Sequence, residues 1–151
     1  MSSYFFDTSA LVKLYHPEAG AERIEAIFGQ TESRLIVSRL AVVELESAFA
    51  LKLRTGAISV DQRRLATTGF YMDLGSRLTV IAMTDVHFSL ARLLILNFGV
   101  SSGLRTLDAL QLSVASELRR LELVDFFVSA DAKLAEVAHT QGISVINPLM
   151  N

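Results

Sequence analysis

Tyr4-Phe5-Phe6-Asp7-Thr8-Ser9-Ala10-Leu11 is the stretch from which the fold is read. Tyr4 to Phe6 are good strand formers. Asp7, Thr8 and Ser9 can each cap a helix, and Ala10, Leu11, Leu14 and Tyr15 then recur at helical spacing. The stretch therefore reads as strand, turn and helix, with Asp7 at the carboxyl end of the strand. In open α/β sheets ligands bind at that edge. An acid placed there is either a helix cap or part of a chemical site.

Outward from this unit the pattern repeats. Leu35-Ile36-Val37, Leu78 to Met83, Phe126-Phe127-Val128 and Ser144-Val145-Ile146 read as further strands. They are apolar rather than alternating, as strands covered on both faces are. Between them lie helical patterns over Gly20–Phe28, Leu40–Leu53, Ser59 to about Leu74, Asp85–Phe98, Thr106–Leu121 and Leu134–His139. Gly56 suits a helix C-terminus, and Ser59 with Gln62 suits a capping box. Asp85 suits the cap of its helix. The expectation is one α/β domain over residues 1–151: a central sheet of about five strands with helices on both faces.

Composition narrows the function. Hydrophobic residues make up 51% of the 151, yet no apolar run approaches the ~18 residues that cross a bilayer. The N-terminus has no basic region followed by a long apolar core, so no signal peptide is expected. Cys is absent, which excludes disulfides and thiolate metal sites and fits a reducing, cytoplasmic setting. The apolar surplus points to a protein partner rather than a membrane. A net charge of -2 means that the whole molecule is not a general electrostatic trap for nucleic acid. No phosphate-cradling glycine motif is present, and His16, His87 and His139 lack metal-ligand spacing.

Four acids stand apart. Asp7 and Asp131 follow strands, Asp108 lies in the first turn of its helix, and Glu44 lies inside a helix with no base at three or four residues. Singly, Asp7, Asp108 and Asp131 are explained by helix capping and the helix dipole. Glu46 has apolar neighbours much as Glu44 does. The set is what matters: an α/β crevice could gather all four. Carboxylates so gathered would attract a hard cation, and an all-oxygen site suits Mg²⁺ or Mn²⁺.

Four segments in this order carry a resemblance. They are Phe6-Asp7-Thr8-Ser9-Ala10-Leu11-Val12-Lys13; Ser38 to Glu44 with Ser47-Ala48; Leu107-Asp108-Ala109-Leu110-Gln111-Leu112 running to Ala115; and Val128-Ser129-Ala130-Asp131 with Leu134 and Ala138. Gly142 to Ile146 closes the pattern. Over essentially its whole length the chain resembles PIN-domain proteins, specifically the VapC-type toxin ribonucleases. The resemblance implies a sheet of order 3-2-1-4-5 and a catalytic quartet of Asp7, Glu44, Asp108 and Asp131 holding Mg²⁺ or Mn²⁺. It assigns the glutamate to Glu44 rather than Glu46. It further implies an RNA substrate, a cognate antitoxin protein and a homodimer. Some relatives carry an acid or amide where this chain has Lys133, which bears on a second metal position.

Ser9 and Ser129 are candidates to support the metal ligands through their hydroxyls, with simple capping as the alternative. Lys13 and Arg105 are candidate phosphate contacts, with a solvated base balancing nearby acids as the alternative. Against the ribonuclease reading stand an inactive PIN-like binding module and an α/β metal-dependent phosphohydrolase. The latter usually has a second aspartate where this chain has Ser9.

Overall fold

The computed structural model describes residues 1–150; Asn151, the last residue of the expected domain, lies outside them. Five parallel strands form one sheet in the order β3-β2-β1-β4-β5. These are β1 (Ser3–Phe6), β2 (Arg34–Ser38), β3 (Leu78–Ile81), β4 (Phe126–Val128) and β5 (Ser144–Ile146). The helices between them are α1 (Thr8–Tyr15), α2 (Ala21–Phe28), α3 (Arg39–Arg54), α4 (Val60–Ser76), α5 (Asp85–Phe98), α6 (Thr106–Arg120) and α7 (Ala132–Thr140).

Apolar residues on both faces of the strands create two cores. Tyr4, Phe6, Leu35 and Val37 face α1 to α4, where Leu11, Ile24, Leu45, Phe49 and Phe70 are buried. Phe5, Ile36 and Phe127 point the other way and pack against α5 to α7, with Leu94, Leu112 and Leu134. This is the period of two that a strand imposes on its side chains. The order reverses between β1 and β4, and stacked rings hold that junction. Tyr4 lies on Phe126 with centroids 5.3 Å apart, and Phe5 lies on Phe127 at 5.9 Å. The register Phe6↔Val128 sets Asp7 beside Ser129 at the carboxyl edge. The Asp7 amide also donates to the Val128 carbonyl at 3.0 Å.

Helix ends follow local chemistry. Ser59 and Gln62 form the expected capping box. Gly56 turns at φ 74° after α3, and the Ala57 amide reaches back to the Lys52 carbonyl at 2.8 Å. Asp85 does not cap α5. Thr84 is the N-cap, and its amide donates to Nδ1 of buried His87 at 2.9 Å, while His87 Nε2 lies 2.6 Å from Glu117. His87 therefore has a structural place that its sequence spacing did not show. Among the described residues no helix is long and apolar enough to cross a membrane.

Candidate active site

Four elements deliver the four acids to one crevice of about 680 Å³ at the carboxyl edge of the sheet, and all four line it. Asp7 is 4% exposed, at the end of β1. Its Oδ1 accepts from the Ala10 amide at 3.1 Å, capping α1, and from Ser9 Oγ at 2.6 Å; its Oδ2 accepts from Ser129 Oγ at 2.8 Å. Burial pushes this carboxyl up, and the hydrogen bonds from Ser9, Ser129 and the backbone only partly counter it. Asp7 is thus both a cap and a buried charge with no base beside it.

Ser9 and Ser129 do more than close turns. Ser9 Oγ accepts from the Ala130 amide at 2.9 Å, and Ser129 Oγ accepts from the Asp131 amide at 3.2 Å. Each serine therefore ties the ends of β1 and β4 together while it orients Asp7. Asp131 caps α7 through the Leu134 amide at 3.0 Å, using Oδ1. Its Oδ2 is 3.8 Å from the Arg105 guanidinium.

Glu44 sits within α3 on the crevice side. Its Oε1 accepts from Gln111 Nε2 at 2.7 Å and from Thr8 Oγ1 at 3.3 Å. Gln111 is 2% exposed, and its Oε1 accepts from buried Ser38 Oγ at 2.7 Å. Burial raises the Glu44 carboxyl, Gln111 and Thr8 oppose that, and the charges of Asp7 and Asp108 add to it. Glu46 points elsewhere and lies 3.6 Å from Arg63 of α4. The pairing with Arg63 separates the two glutamates, which apolar spacing alone could not do.

Asp108 is not a cap. Its Oδ2 accepts from Arg105 Nε at 2.8 Å. Arg105 is exposed and bridges Asp108 and Asp131 at the mouth of the crevice. Lys13 is 7% exposed, and its ammonium pairs with Glu18 at 3.1 Å. Gln111 and Thr8 were missed in the sequence. The available signal was an amide in the buried run Ala109 to Ala115, three residues after Asp108.

The donor set fits a hard divalent cation: four carboxylates, two of them raised by burial, against one guanidinium. Among the described residues no three His, Cys, Asp or Glu side chains already converge on one point as a metal cage. The fit is therefore one of donor chemistry, and Arg105 provides the positive charge between Asp108 and Asp131 in this arrangement.

Comparison with known proteins agrees with this architecture. The family model described as PIN domain matches residues 4–140. No curated protein sequence matches the chain. Among solved structures, VapC20 of Mycobacterium tuberculosis, described as a sarcin-ricin loop cleaving toxin, superposes with a TM-score of 0.61 at 15% identity, covering 88% of this chain and 93% of that one. VapBC2 of Rickettsia felis, bound to a DNA fragment from its promoter, gives 0.63 at 17%, covering 96% and 98%. VapBC-1 of nontypeable Haemophilus influenzae gives 0.61 at 16%, covering 98% and 99%. At these identities the structures share the fold, while the family match spans most of the sequence: the chain belongs to the PIN domain family.

Proposed function

We propose that the chain is a divalent-metal-dependent endoribonuclease acting as the toxin of a toxin–antitoxin pair. One observation carries this reading: Asp7, Glu44, Asp108 and Asp131 come from four elements to one crevice at the switch in strand order. Mg²⁺ or Mn²⁺, when bound, would offset charge on the phosphate and activate water. Asp7, Asp108 and Asp131 would hold it, with Glu44 as a further ligand or as the group orienting the attacking water. Ser9 and Ser129 keep both Asp7 oxygens fixed, and Gln111 and Thr8 fix one oxygen of Glu44, leaving Oε2 for the reaction. Arg105, at the crevice mouth, is placed to meet a phosphate entering the site.

The partners follow from the surface and the relatives. The VapBC neighbours are toxin–antitoxin complexes, which supports an antitoxin for this chain. Val43, Val60, Leu65 and Met72 of α3 and α4 are at least 66% exposed, which supports an apolar protein contact such as a homodimer or antitoxin helix. The test is cleavage of RNA in Mg²⁺, its arrest by chelator, and its loss in Asp7→Asn. An inactive binding module would show no metal-dependent cleavage.

A further inference from the structure

Beyond Arg105 the acidic crevice opens into a second depression, of about 490 Å³. Arg105, Asp108 and Asp131 form the wall between the two and line both. The far side differs in kind. Its other lining includes Lys133 and Gly103 of the α5–α6 loop, both exposed, and Leu104 and Leu134, both buried.

The charge changes across this wall. The first crevice sets four carboxylates against Arg105. The second has only the two shared carboxylates, and both are already engaged by Arg105. Lys133 is exposed and, among the described residues, makes no ion pair. Nor does it support its own helix: it lies in the first turn of α7, where a cation opposes the helix dipole. A base that gains nothing locally and borders a groove leading from the carboxylates has the chemistry of an anion contact.

We propose that this depression is a phosphate subsite, in which Lys133 binds the backbone phosphate next to the one being cleaved. The RNA strand would cross the Arg105 wall, with one phosphate at the four acids and its neighbour at Lys133. Ribose or base would lie against the apolar lining. The inference rests on the ribonuclease reading and assigns that reaction a positioning residue outside the acidic quartet.

Steady-state cleavage of an unstructured oligoribonucleotide in Mg²⁺ tests it, at salt from 0.15 to 1 M, for parent, Lys133→Met and Lys133→Arg. One lost phosphate contact lowers the log–log salt slope by about 0.7 and weakens binding at 0.15 M by roughly fourfold. Lys133→Met is therefore expected to raise KM roughly fourfold with kcat unchanged, and Lys133→Arg is expected to restore the parent KM and slope. If the parent cleaves and Lys133→Met has the parent KM and slope, the subsite is refuted. A fall in kcat at unchanged KM would place Lys133 at the reacting phosphate and also refute it. If the parent cleaves no RNA, the ribonuclease reading fails first and the subsite fails with it.

Discussion

Gln111→Met isolates the buried network that holds Glu44. Methionine keeps the length of the side chain and its helix propensity, but removes both ends of the amide. The Nε2 bond to Glu44 at 2.7 Å is charge-assisted, and such bonds contribute about 1.5–3 kcal/mol. The Ser38 hydroxyl, wholly buried, loses its acceptor at 2.7 Å, which costs about 1 kcal/mol more. Burial of the thioether chain in place of the amide returns roughly 1 kcal/mol. Glu44 borders the open crevice, so water replaces part of its lost partner. The net expectation is a loss of about 2 kcal/mol, or roughly 4–8 °C in Tm for a chain of this size. Denaturant unfolding in chelator at neutral pH measures it. A double-mutant cycle with Glu44→Gln should give a coupling of at least about 1 kcal/mol. RNA cleavage should fall roughly 10- to 100-fold, because a loosened Glu44 is a misplaced reacting group. A Gln111→Met protein within about 0.5 kcal/mol of the parent, or a cycle with no coupling, would refute the role assigned to this network.

Three further outcomes are expected. Burial raises the Asp7 and Glu44 carboxyls, so their contribution to stability is complete below the unfolded values near pH 4 and is lost as pH rises through the folded values; in chelator, Asp7→Asn should lessen that decline and melt at or above the parent at neutral pH. Glu18 runs the other way: burial favours raising it, but Lys52 and Lys13 outweigh that and lower it, so its contribution is present above an unfolded value near 4.3 and is lost as pH falls through the folded one. Glu18→Gln, which leaves buried Lys13 unpaired, should cost roughly 1–3 kcal/mol at neutral pH and little in acid, as read by thermal melting. Finally, sedimentation at micromolar concentration should show a dimer, and Leu65→Ser with Met72→Ser should weaken either self-association or antitoxin binding; a monomeric parent would remove the homodimer.

The sheet was legible because its strands are short apolar runs set between helical patterns. The order 3-2-1-4-5 came from the family resemblance rather than from periodicity. Asp7 and Asp131 were visible as acids after strands, yet sequence alone could not separate cap from site, and both caps prove real. Glu44 and Glu46 looked alike because both have apolar neighbours; Arg63, seventeen residues beyond Glu46, is what distinguishes them. Lys13 pairs with Glu18, five residues on and past the end of α1, a contact that helical spacing does not reveal. Gln111 was passed over because an amide offers no charge to notice. The second groove depends on how the α5–α6 loop meets the start of α7, which only the three-dimensional arrangement shows.

The most direct test of the acidic site is the single-turnover rate of RNA cleavage in saturating Mg²⁺ for Asp7→Asn, Glu44→Gln, Asp108→Asn, Asp131→Asn and Glu46→Gln, each shown to be folded by its melting curve. The four crevice variants are expected to lose cleavage by at least about 100-fold, while Glu46→Gln, outside the crevice, keeps the parent rate. Folded crevice variants that cleave at the parent rate, or a Glu46→Gln loss equal to that of Glu44→Gln, would contradict the assignment of the reaction to this crevice.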